Sequence, residues 1–160
     1  MSDEDHTEEF QKAEGGSKTF PCEAGSLKKG GYVVIDGHPC KISEISFAKT
    51  GKHGHAKASI VAIDIFTNKK YEDSQPSSHN MDCPVVVKTD YPLISCDIDG
   101  YCTYSDKGEC KSDLKLPDKK DWDWVPKFWE DYKAHKPLVI NVVSAMGEDN
   151  IVGYKEDKEK

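Results

Sequence analysis

Between residues 19 and 76 no apolar run is long enough for a buried helix, and each is cut by a turn within a few residues. Tyr32-Val33-Val34-Ile35 is strand-forming, and Asp36-Gly37 directly after it supplies a tight hairpin turn. Cys40-Lys41-Ile42-Ser43-Glu44-Ile45 alternates apolar and polar residues with the period of two expected of a half-buried strand. Residues 48–55 break that pattern with two glycines. Residues 58–66 resume apolar strand-forming residues, Thr67-Asn68 turns, and residues 69–73 return as a strand. Punctuation this dense excludes a helical bundle. It predicts a barrel of short antiparallel strands over residues 19–84, with its two longest strands joined by residues 48–55.

A second unit is predicted to begin at Cys83-Pro84 and run over residues 85–160. Val85-Val86-Val87 reads as a strand that Tyr91-Pro92 interrupts. Residues 93–97, 101–105 and 110–116 read as a meander, with turns at Asp99-Gly100 and Lys107-Gly108. Residues 118–136 differ in kind. Val125, Phe128, Trp129 and Tyr132 have the spacing of one helical face, and Pro126 suits a first turn. Residues 138–143 are a continuous apolar strand, and the chain after Gly147 is expected to fray. Five or six short strands with one helix suit a barrel of the oligonucleotide-binding (OB) type. Residues 1–18, acidic and poor in apolar side chains, are expected to be a disordered tail.

The net charge of −7 comes from 22 basic and 29 acidic residues, and every basic residue is lysine. The distribution says more than the total. Residues 27–57 carry six lysines against two acids, +4, and add His38, His53 and His55. Residues 1–20 and residues 97–160 each come to −4. A local basic segment in an acidic chain suggests a local polyanion contact, although a solvated basic face with no partner is the commoner origin of such a patch. The six cysteines form no Cys-x-x-Cys pair and are expected to be reduced thiols of an intracellular protein. The acidic opening Met1-Ser2-Asp3-Glu4-Asp5 lacks the basic-then-apolar order of a secretory signal.

The most informative stretch is Lys49-Thr50-Gly51-Lys52-His53-Gly54-His55-Ala56-Lys57. Glycines flank Lys52-His53 and permit a sharp backbone excursion. No large apolar side chain is present to bury the segment. Such a hairpin projects cations on a narrow stalk, suited to a phosphate-lined cleft. A plain surface loop is the competing reading. His53 and His55 with Asp64 could bind a metal, but His-x-His fixes no third ligand. The spacing is not that of a phosphate-binding P-loop, and an open tip offers Lys52 no desolvated pocket for Schiff-base chemistry. Trp122, Trp124 and Trp129 could stack bases, but packing of such rings on a barrel is more frequent. No arrangement for nucleophilic or acid/base catalysis stands out.

Thr50-Gly51-Lys52-His53-Gly54-His55-Ala56-Lys57 resembles the modification loop of the eukaryotic translation initiation factor 5A family. Leu27-Lys28-Lys29-Gly30-Gly31-Tyr32-Val33, Gly37-His38-Pro39-Cys40-Lys41-Ile42, Asp64-Ile65-Phe66-Thr67, Lys70-Tyr71-Glu72-Asp73 and Ser78-His79-Asn80-Met81-Asp82 are similar to the family in the same order. So are Asp99-Gly100-Tyr101, Asp113-Leu114-Lys115-Leu116-Pro117 and Val143-Ser144-Ala145-Met146. Ala48, Asn68, the cysteines at 83, 96, 102 and 110, and residues 118–136 depart from it.

The resemblance implies an SH3-like barrel followed by an OB-fold barrel with one helix. It implies a non-enzymatic translation factor with no bound cofactor. Lys52 would become hypusine: deoxyhypusine synthase would transfer an aminobutyl group from spermidine, and deoxyhypusine hydroxylase would hydroxylate it. The factor would sit on the ribosome beside the acceptor end of peptidyl-tRNA, promoting peptide-bond formation at stalling sequences such as polyproline, and termination. Lys49, Thr50, Gly51, His53, Gly54, His55 and Lys57 would complete the RNA- and ribosome-binding loop. The resemblance further implies a cytoplasmic location with a nuclear share, and a weak homodimer. The alternative is a general single-stranded RNA-binding module that uses the OB-fold aromatics.

Overall fold

In the computed structural model, residues 18–49 and 56–158 are described. Among them the secondary structure is eleven β-strands, one α-helix and a short 3-10 turn at Ala24–Ser26. The chain divides into two units, the first ending at Val86 and also taking in Ala145–Gly147, the second comprising Val87–Ser144 and the chain from Glu148.

The first unit is a half-barrel. β2 (Tyr32–Ile35), β3 (His38–Lys49), β4 (Ala56–Asp64) and β5 (Lys70–Pro76) form an antiparallel sheet in chain order. β1 (Thr19–Glu23) and β6 (Asn80–Pro84) pair as a separate two-stranded ribbon. The Asp36-Gly37 turn has positive φ at both residues, +51° and +79°, as a tight primed hairpin turn requires. Period-two alternation sends Ala58, Ile60 and Ala62 of β4 inward, where they meet Val33, Ile35, Cys40, Ile42, Met81 and Cys83.

The second unit is an OB fold. Its five strands are ordered β11-β10-β7-β8-β9, where β7 is Val87–Cys96, β8 Tyr101–Asp106, β9 Glu109–Lys115, β10 Leu138–Ala145 and β11 Glu148–Glu156. The helix α1 (Val125–Lys133) carries Pro126 in its first turn and buries Val125 and Phe128. Phe128 joins Leu138, Ile140, Val142, Cys102, Tyr104 and Ile151 in the core.

Four sequence expectations are corrected. Cys83-Pro84 does not open the second unit: both residues end β6 and pair with Phe20 and Thr19 of β1. Tyr91-Pro92 does not interrupt β7. The strand pairs with β10 as far as Pro92 and with β8 from Leu93 onward, so the residue without an N–H sits where the strand changes partner. The chain after Gly147 does not fray. Met146 and Gly147, both at positive φ, turn it back into β11, and Ile151 is buried. Finally, the cysteines are not all thiols, for Cys22 and Cys83 form a disulfide. Pairing of β1 with β6 places their Cα atoms 6.5 Å apart, within disulfide reach. Cys40, Cys96, Cys102 and Cys110 are free.

Candidate functional site

The basic segment is carried by the β3–β4 hairpin. Lys49 pairs with Ala56 and Ala48 with Lys57, so the two strand ends are held side by side. Thr50, Gly51, Lys52, His53, Gly54 and His55 lie outside the described residues; Lys49 and Lys57 frame them. The sequence builds this stem in three steps. β2 pairs with β3 only as far as Lys41, after which Gly30 and Gly31 exchange backbone hydrogen bonds with Ile42. A bulge between Ile42 and Glu44 then shifts the β3–β4 register, and the Ser43 hydroxyl donates to the Val61 carbonyl at 3.1 Å. Beyond it β3 continues against β4, while β5 backs β4 out to the Lys57–Pro76 pair.

Along the outer stem Ser46, Phe47, Ala48 and Lys57 are exposed, whereas Ala58 is buried. The stem therefore offers solvent a cation and the half-exposed ring of Phe47. Sequence pattern did not single out Phe47. The signal was available, because an aromatic next to a run of small and basic residues has little apolar surface to cover it.

Asp64 lies at the other end of β4. Eight residue steps at about 3.3 Å each put it roughly 26 Å from Ala56. Its carboxylate is buried and already engaged. Oδ1 accepts from the backbone N–H of Phe66 at 2.8 Å, and Oδ2 lies 3.2 Å from His38 Nδ1. His38 in turn stacks on Tyr71, with ring centroids 5.0 Å apart. Asp64 is thus the organiser of the β4–β5 turn, its carboxylate taken up by Phe66 and His38, while His53 and His55 lie outside the described residues. Among the described residues no cluster of three or more His, Cys, Asp or Glu could hold a metal ion. Burial, followed by the Asp64 charge, pushes the Cys40 thiol up to about 12, which removes it as a nucleophile at neutral pH.

In the second unit the tryptophans serve packing. Trp124 contacts Phe128 and Tyr154, with centroids at 6.5 and 5.8 Å, and Trp129 contacts Phe128 and Tyr132 at 5.5 and 5.8 Å. Trp122 lies against Trp124. An open groove of about 770 Å³ is lined by Trp129 with Leu116, Val125 and Pro126. Lys115, Lys119 and Lys133 share its lining with Asp99, Asp118 and Glu130. Three cations against three anions leave no net charge to attract a phosphate backbone. On the helix itself, Asp131 accepts from the Tyr154 hydroxyl at 2.7 Å and from Lys136 Nζ at 3.2 Å. Those hydrogen bonds hold its carboxyl below the usual range. Among the described residues no helix is long and apolar enough to cross a membrane.

A half-barrel bearing a cationic hairpin, followed by an OB fold, is the architecture of a class of translation factors. Comparison with known proteins narrows the class. Residues 17–79 match the family model described as translation initiation factor 5A-like, N-terminal. Residues 85–155 match the one described as eukaryotic elongation factor 5A hypusine, DNA-binding OB fold. The chain is 50% identical to eukaryotic translation initiation factor 5A-4 of Solanum tuberosum and 51% identical to 5A-1 of Arabidopsis thaliana, in each case over 98% of both chains. A solved structure of a translation initiation factor eif-5a family protein from Naegleria fowleri covers 87% of this chain and 99% of its own, at 46% identity and a TM-score of 0.78. A second, from Methanococcus jannaschii, covers 86% and 95% at 29% identity and a TM-score of 0.66. The chain belongs to the eukaryotic translation initiation factor 5A family, and its hypusine domain implies covalent hypusine modification.

Proposed function

We propose that Lys52 carries the hypusine and that the chain acts on the ribosome beside peptidyl-tRNA. There it promotes peptide-bond formation at stalling sequences such as polyproline, and termination. The observation that supports this reading is the Lys49–Ala56 closing pair, with which the described stem ends on either side of residues 50–55. Modification lengthens the lysine and adds a second amine. A longer polycation can contact phosphates and sugars of the tRNA acceptor end. Holding that end still raises the fraction of reactive geometries, an entropic contribution that needs no acid or base from the factor. Lys49, Thr50, Gly51, His53, Gly54, His55 and Lys57 supply contacts that position the backbone without reading sequence.

In this reading the chain is the substrate of deoxyhypusine synthase and deoxyhypusine hydroxylase and is not itself an enzyme. It works in the cytoplasm, with a nuclear share. A weak homodimer is compatible with it. The test has two parts. Peptide mass spectrometry of the chain from a eukaryotic host should place one hydroxylated aminobutyl group on Lys52. Lys52→Arg should then leave cells that depend on this chain slow at polyproline. Unmodified Lys52, or normal decoding by the arginine variant, rejects the proposal. The RNA-module alternative predicts instead that Lys52→Arg is silent and that Trp129→Ala abolishes RNA binding.

A further inference from the structure

Two cysteines that the proposed function does not use face each other in the second unit. Cys96 ends β7 and Cys102 lies near the start of β8, in direct register. Their sulfurs are 2.8 Å apart. The backbone shows which kind of pair this is. The Asp97 N–H donates to the Tyr101 carbonyl, so the next pair inward, Cys96–Cys102, has no ladder bonds of its own. The N–H and carbonyl of Cys96 point away from β8. The Tyr132 hydroxyl takes both, accepting from the N–H at 3.0 Å and donating to the carbonyl at 3.3 Å. In a pair of this type the Cα atoms come to about 4.5 Å and the side chains approach most closely. That spacing falls inside the range disulfides span.

We infer that Cys96 and Cys102 are a redox-active dithiol that hydrogen peroxide or a similar small peroxide closes to a cross-strand disulfide. The two residues differ in a way that assigns roles. Cys96 is half-buried and reachable by a small oxidant, whereas Cys102 is fully buried. The contact with Cys96 and burial push the Cys102 thiol far above its usual range, so it keeps its proton. The Cys96 thiolate attacks one peroxide oxygen. The O–O bond breaks, hydroxide leaves and takes up the proton Cys96 had released, and Cys96 becomes a sulfenic acid. Oxidation of Cys96 replaces the thiol contact that is the largest cause of the raised Cys102 pKa, so the Cys102 proton passes to the sulfenic oxygen as the Cys102 sulfur attacks the Cys96 sulfur. The S–O bond breaks and that oxygen leaves as water. Two thiols and one peroxide give one disulfide and two waters, with two electrons passing from sulfur to oxygen. The bridge would tie off the turn that carries Ile98, a side chain almost wholly exposed.

The test is peroxide treatment of the full chain, quenching, alkylation in denaturant, and cleavage on the amino side of aspartates. Cleavage at Asp97 and Asp99 separates the cysteines, so a bridge survives as linked peptides. The expected result is that linkage in the wild type, its loss on treatment with dithiothreitol, and its absence from Cys96→Ser, with exposed Cys110 still alkylated at low peroxide. Full alkylation of Cys96 and Cys102 at peroxide levels that oxidise Cys110 overturns the inference. So does a Cys96 sulfinic acid without a bridge, or linkage of Cys96 to Cys110.

Discussion

Phe128→Leu is a sharp test of the helix-to-barrel packing, because the chain supplies its own reporter. All three tryptophans, at 122, 124 and 129, are in the second unit, so tryptophan emission reports that unit alone. Phe128 is fully buried, with the rings of Trp129, Tyr132 and Tyr154 at centroid distances of 5.5, 6.1 and 5.2 Å. Leucine keeps most of the volume but loses those edge and stacking contacts, at a cost of about 1–1.5 kcal/mol. A unit this small has a urea slope near 1 kcal/mol/M, so the emission-detected midpoint should fall by roughly 1 M. Phe128→Ala should cost about 3–5 kcal/mol and remove most of the folded baseline. Modification of Lys52 in a host with the two enzymes should be unchanged in the leucine variant, because its hairpin belongs to the first unit. An unmoved midpoint would falsify the packing account, and lost modification would refute the assignment of the hairpin to a separately folded unit.

Two more outcomes are expected. Asp131 has its carboxyl held below the unfolded value by the Tyr154 hydroxyl first, with Lys136 and Lys127 adding to it. Its stabilisation is therefore present above about pH 4 and is lost as pH falls through the lower folded value. Urea midpoints between pH 6 and 3 should drop more steeply in the wild type than in Asp131→Asn, and parallel curves would exclude the network as an acid-sensitive tie. The Cys22–Cys83 bridge spans 61 residues of sequence, which restricts the unfolded first unit by about 4 kcal/mol. Cys22→Ser with Cys83→Ser should lower the stability of that unit by about this amount in non-reducing buffer, as followed by circular dichroism, and should abolish its response to dithiothreitol. A wild type indifferent to the reductant would show that the bridge contributes nothing.

What was legible in the sequence was whatever is encoded locally. Asp36-Gly37 announces a hairpin because Asp and Gly accept successive positive φ angles, and Lys107-Gly108 does so through its glycine. Val125, Phe128 and Pro126 place the helix by spacing and by a missing N–H. The basic connection stands out because it interrupts apolar strand-forming sequence on both sides. What was not legible depends on partners far along the chain. β1 is short, exposed and contains Pro21, and only pairing with β6 makes it a strand. β11 is polar enough to read as a tail until Met146-Gly147 folds it onto β10. Pro92 reads as a break unless it is known that β7 changes neighbours there. The contact of Cys22 with Cys83 follows from register, which no local spacing records.

The closing pair at Lys49 and Ala56 separates two demands on one segment. Doubling the number of residues between them would raise the closure entropy by only about 0.6 kcal/mol, and the barrel would tolerate it. Folding is thus nearly indifferent to the length of this connection, and under the proposed function any pressure to keep it constant comes from the reach that a modified Lys52 needs.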